Sequence, residues 1–142
     1  AIKDGLIEAI DADTNAFNAY MEARRLPSKT AEEKAHKLAA EQQGLKDAVR
    51  VPLKTAQLSG EALEIAATVV EHGNPNSISD VGVGAHMAFC GVKGGIYNVL
   101  INLTDIKDET FIKEMKKTCA ALEKRAQKYL RLVAEKAEQH IQ

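Results

Sequence analysis

The sequence predicts an all-α protein, an antiparallel helical bundle of about five helices formed by residues 1–142 as a single domain. Apolar residues recur every three or four positions through the long segments, without the alternating β-branched pattern that marks a half-buried strand. Glycine and proline gather at segment boundaries, where chains turn. Only 4% of residues are aromatic, while Ala, Glu, Lys and Gln, all good helix formers, fill the second segment.

Leu6, Ile7, Ile10, Phe17 and Met21 keep helical spacing and predict a first helix to about Leu26, stopped by Pro27. Leu6, Ile10, Phe17 and Met21 project as its packed stripe, with Asp13 just to the side near Tyr20. A second helix starts at about Ala31 and passes Val49 and Leu53. Pro52 lacks a backbone donor and predicts a kink or break there. "SGEALEIAATVVEHG" then reads as a third helix, or as the second continued past the kink, with Leu63, Ala66, Ala67 and Val70 apolar and Gly73 as its stop. Ser77 and Asp80 have capping-box spacing, with Ser79 the alternative cap, for a fourth helix to about Asn102. Asp105 and Asp108 place acid at the start of a fifth, whose stripe runs Phe111, Met115, Cys119, Leu122, Ala126, Tyr129, Leu132 and Val133.

The near balance of acids and bases, formally -1, offers no global attraction for nucleic-acid phosphate, so none is expected as a partner. No apolar run is long enough to span a membrane. Cys90 and Cys119 lack metal-ligand spacing and read as buried free thiols in a reducing compartment, which with the missing secretory signal predicts a cytoplasmic protein. The chain opens without Met and enters a helical pattern at once, which reads as truncation of a leading piece.

Asp13, edging into a packed face, is the first candidate acid-base group, because burial disfavours the charged carboxylate; the bland alternative is a partly exposed Asp bonded to Tyr20 or solvent. Asp11 projects with Asn18 and Arg25 along a polar flank. Arg24 and Arg25 either fix an anion or simply favour the helix dipole. In the fourth helix, Asp80, Gly84, Met87, Gly91, Gly94, Gly95, Asn98 and Asn102 share one broad face, a glycine trough with polar ends. Interior glycine costs about 0.8 to 1.0 kcal/mol relative to Ala, so something must approach closely to compensate. Close helix packing is one explanation; a ligand with several polar ring atoms is the other, and it also supplies partners for the amides. His86 reads as structural, and the four histidines form no metal-ligand spacing, so no metal site is expected.

The ordered set "DADTNAFNAYMEARRLP", "GNPNSISDVGVGA" and "YNVLINLTDIKDE" resembles the cyclodeaminase/cyclohydrolase family, which includes the cyclodeaminase half of formiminotransferase-cyclodeaminase and small methenyltetrahydrofolate cyclohydrolases. The resemblance spans nearly the whole chain. It implies an all-helical, typically dimeric enzyme of one-carbon folate metabolism that converts 5-formiminotetrahydrofolate to 5,10-methenyltetrahydrofolate and ammonia, or runs the related hydrolysis, with no cofactor beyond the folate substrate. It implies Asp13 or Asp80 as the acid-base group, and Asp11, Asn74, Ser79, Asn98 and Asn102 as pocket residues. Arg24, Arg25 or Lys54 would meet the glutamate tail, and fusion or association with a formiminotransferase is implied too. Family members usually carry a "GGGS"-like run before the first motif, and its absence here fits the truncation. The competing expectation is a non-catalytic helical dimerisation module that uses the trough for packing.

Overall fold

The computed structural model describes residues 1–141. Its order is α1 (Ile2–Arg25), α2 (Ala31–His72), a short 3-10 turn (Pro75–Ser77), α3 (Ile78–Asn102), a second 3-10 turn (Leu103–Asp105) and α4 (Glu109–Ile141). The all-α bundle is as expected, with four helices among the described residues where about five were anticipated.

The difference lies at Pro52. The helix of residues 31–72 runs through it unbroken for 42 residues, about 63 Å at 1.5 Å per residue. Proline has no N–H to give the carbonyl four residues back, and the ring normally forces a kink. Here Asn102 Nδ2, from the end of α3, donates to the Ala48 carbonyl at 3.0 Å, replacing the missing bond. Thr30 starts α2 in a reciprocal capping box with Glu33, a pattern carried by "TAEE".

The core lies between α2, α3 and α4. Val49, Ala56 and Leu63 meet Val92, Ile96 and Val99, and Cys119, Ala126 and Val133 close the third side. Two glycines let α3 sit close on α2. A β-carbon on Gly95 would stand 2.6 Å from the Pro52 carbonyl oxygen, and one on Gly91 would stand 2.5 Å from Ser59 Oγ.

α1 packs on α2 outside this core, flanking α3 across a groove. Its contact with α2 runs through small groups: Gly5 faces Leu58, and Gly44 of α2 receives the Tyr20 backbone. The anticipated stripe is therefore corrected: Ile10 is 68% exposed and Phe17 60%, because a helix touching one neighbour through small residues leaves its bulky positions at the rim. Cys119 is buried, and burial pushes its thiol pKa up, whereas Cys90 is exposed, contrary to its expected burial.

The entry to α3 also differs. Ser77 occupies the cap position without a side-chain cap bond, so the Ser77/Asp80 capping box does not form and Ser79 lies within the helix. Asn74 organises the turn instead, its Oδ1 accepting from Asn76 N at 3.0 Å. Asp108 starts α4, accepting from Phe111 N at 3.0 Å and from Lys46 Nζ at 2.7 Å. The Lys46 hydrogen bond, followed by the backbone donor, holds the Asp108 carboxyl below the usual carboxylate range.

Candidate functional site

α1 and α3 run in the same direction along α2 and leave a groove between them, floored by α2. Two hollows occupy it. One, about 350 Å³, has Leu6, Ile10 and Asp13 on one wall, Gly91, Gly94 and Asn98 on the other, and Val51, Pro52 and Thr55 beneath. The second, about 370 Å³, continues with Phe17 and Tyr20 on α1, Ile101 and Asn102 on α3, Leu45 and Ala48 beneath, and Thr104 and Asp105 at its end. Asp13 and Asn98 line both and so mark the junction.

The local sequence places these groups. Leu6, Ile10, Asp13, Phe17 and Tyr20 step by three or four residues, which keeps them on one face of α1. Asn98 Nδ2 is bonded to the Gly94 carbonyl at 2.9 Å, which fixes the side chain along its own helix and leaves its oxygen as an acceptor. Gly94 meets no neighbouring atom where a β-carbon would stand, so the absence of a side chain there opens the hollow rather than admitting a helix.

No Lys, Arg or His lines either hollow, and the cross-helix ion pairs lie elsewhere: Lys46 with Asp108, Lys93 with Glu123, Arg125 with Glu64 and Lys136 with Glu71. With Asp13 and Asp105 as the charged lining groups, the groove favours hydrogen-bond donors and developing positive charge. A larger hollow, about 710 Å³ between α2 and α4, is lined by opposed charges such as Glu61, Glu114, Lys117 and Arg125 and holds no residue of the three motifs.

Of the sequence candidates, the structure brings together Asp13, Asn98 and Asn102; Asp13 is exposed on the groove wall rather than edging into a packed face, because the apolar groups beside it, Ile10 and Phe17, are themselves exposed. Asn102 is already engaged with Ala48, so its role is at least partly structural. Arg24 stacks over the Tyr20 ring at 6.0 Å, at the edge of the second hollow, and Arg25 and Asp11 are exposed. Lys54 lines a different hollow on the opposite flank of α1, adjoining the groove through Ala9 and Val51. Asn74, Ser79 and Asp80 are exposed around the start of α3, with Asp80 about 27 Å from Asn98 by helical rise, too far to share one small site within a chain. The glycine trough thus divides: Gly91 and Gly95 admit α2 closely as well as lining the first hollow, whereas Gly94 faces the groove alone. Asp105, Thr104 and Thr55 were not anticipated as lining residues; the short "LTD" turn hid the first two, since only the three-dimensional path brings it beside α1.

The sequence profile of the family described as formiminotransferase-cyclodeaminase matches residues 1–121. The chain belongs to the formiminotransferase-cyclodeaminase family. Formimidoyltransferase-cyclodeaminase of Gallus gallus is 44% identical over 108 residues, covering 76% of this chain and 20% of that protein. Methenyltetrahydrofolate cyclohydrolase of Methylorubrum extorquens is 39% identical over 110 residues, 78% of this chain and 53% of that one. The crystal structure of formiminotetrahydrofolate cyclodeaminase from Thermotoga maritima superposes with a TM-score of 0.85 at 26% identity, over 99% of this chain and 66% of the other. This member of the formiminotransferase-cyclodeaminase family therefore spans about a fifth of the chicken protein and about half of the bacterial cyclohydrolase. Among the described residues, no helix is long and apolar enough to cross a membrane.

Proposed function

We propose that the α1/α3 groove binds a reduced folate and that Asp13 is the acid-base group of its one-carbon chemistry, cyclodeamination of 5-formiminotetrahydrofolate. The observation that carries this reading is the junction. A tetrahydrofolate consists of a bicyclic pterin and a benzoyl ring, and the one-carbon unit joins N5 to N10 between them. Two adjoining hollows that share Asp13 and Asn98 match that layout, with the pterin beside Phe17 and Tyr20 and the benzoyl ring beside Leu6, Ile10 and Val51.

The chemistry follows from the same two residues. N10 attacks the carbon of the protonated formimino group, forming the N10–C bond. Asp13 takes the proton lost by N10 and returns it to the amino group, whose C–N bond then breaks to release ammonia. The methenyl product retains one positive charge, which the Asp13 carboxylate stabilises in a groove without a competing cation. Asn98 offers its amide oxygen to the formimino N–H. Holding N10 against the carbon supplies the entropic advantage, and proton transfer adds roughly 10² to 10⁴-fold. The glutamate tail leaves past Leu6 toward Lys54 in the neighbouring hollow.

A homodimer is part of this proposal. Ile10 and Phe17 on α1 and Ile101 on α3 line the groove as exposed large apolar groups, and Val83, Met87 and Tyr97 are exposed elsewhere on α3; a second copy is the covering that the family resemblance implies. In a dimer, Asp80 of a second copy is the only route by which that residue joins the junction. Association with a formiminotransferase is a further proposal, motivated by the fused relatives.

Cyclohydrolysis of 5,10-methenyltetrahydrofolate is the second reading, favoured by the greater share of the bacterial cyclohydrolase that this chain spans. The full-length protein is to be assayed in parallel for ammonia released from 5-formiminotetrahydrofolate and for loss of methenyl absorbance. Turnover in one arm selects the reaction. Folded protein inactive in both, without saturable folate binding, leaves the non-catalytic dimerisation module and overturns the proposal.

A further inference from the structure

We infer that Asp105 reads the donor edge of the pterin, an assignment that rests on the folate reading above. The pterin carries an N3–H and a 2-amino group side by side, two donors pointing the same way. A carboxylate is the side chain whose two oxygens match such a pair. Of the two carboxylates in the groove, Asp13 stands at the junction, where the one-carbon unit lies. Asp105 lines only the second hollow, in the turn at its end away from that junction, beyond the apolar groups of Phe17 and Ile101.

The turn that carries Asp105 is held rigidly without using its carboxylate. Leu103 and Ile106 are 3% and 5% exposed and pin the turn on both sides. Gln42 reaches across from α2 as a two-point clamp: its Nε2 donates to the Asp105 carbonyl at 2.9 Å, and its Oε1 accepts from Lys107 N at 2.7 Å. The neighbouring ion pair draws on Asp108, not Asp105, with Lys46 at 2.7 Å. An exposed carboxylate fixed through its backbone, on a hollow whose lining includes no Lys, Arg or His, is arranged to accept from a ligand rather than to tie the fold together.

The test compares two stable ligands, 5-formyltetrahydrofolate and its 2-desamino analogue, titrated calorimetrically into the full-length protein and into D105N and D105A. Wild type binds the 2-amino ligand more tightly than the analogue by roughly ten- to hundredfold, the size of a lost charge-assisted pair. Both variants lose most of that preference while binding the analogue about as wild type does. A merely structural role would weaken both ligands alike and keep the ratio, and that result overturns the assignment alone. Absence of wild-type binding to either ligand overturns the folate reading and the assignment together.

Discussion

The side-chain amide of Asn102 donates to the Ala48 carbonyl at 3.0 Å, the carbonyl that Pro52 leaves without its helical partner. This bond joins the C-terminus of α3 to the middle of α2 at the floor of the groove, and it explains how a 42-residue helix passes through proline intact.

A double-mutant cycle measures it. N102A strands a partly buried carbonyl and lowers unfolding stability by about 1 to 3 kcal/mol in denaturant titration. In a P52A background the new Ala N–H restores the helical bond, so N102A costs much less there. Equal losses in both backgrounds would show that Asn102 does not serve Pro52.

Two adjacent glycines respond in opposite directions. G95A drives a β-carbon to 2.6 Å from the Pro52 carbonyl oxygen, backbone that cannot yield cheaply, and destabilises by about 1 to 3 kcal/mol. G94A meets open space, so the variant gains up to about 1 kcal/mol from helix propensity. The same methyl narrows the hollow, so G94A binds folate more weakly while melting at a higher temperature. Thermal melts and ligand titrations on both variants check this.

Acid stability reports on Asp108. Its folded pKa is held below the ordinary carboxylate value by the Lys46 hydrogen bond, so its contribution is present above the unfolded pKa and is lost as pH falls through the folded one. Melting temperatures followed downward from neutral pH show wild type losing stability across that window, and D108N shows a shallower loss. Lys93, raised above 10.5 chiefly by its Glu123 hydrogen bond, acts with the opposite sign: its contribution is present below 10.5 and fades as pH climbs through the raised value.

Much of this architecture was legible in helical spacing. The ends of α1 near Leu26, of α2 at Gly73 and of α3 at Asn102 follow from Pro, Gly and turn residues acting locally. Pro52 misled because its remedy comes from residue 102, a long-range contact that no local rule contains. Ile10 and Phe17 misled for a related reason: periodicity finds the apolar face of a helix without saying whether a core or a groove rim lies against it. Asp13 and Asn98 were found as polar groups on otherwise apolar or glycine-rich faces. Asp105 was not, since as an acid at the expected start of the last helix it had an adequate local explanation; it lies instead in the turn before that helix.

The most direct test of the central claim is the kinetics of Asp13→Asn in the full-length protein with 5-formiminotetrahydrofolate, alongside calorimetric binding of 5-formyltetrahydrofolate. Loss of the proton acceptor with the shape retained predicts kcat reduced by roughly 10² to 10⁴-fold and ligand affinity within about tenfold of wild type. A variant that turns over at the wild-type rate would contradict the assignment of Asp13 as the acid-base group of this groove.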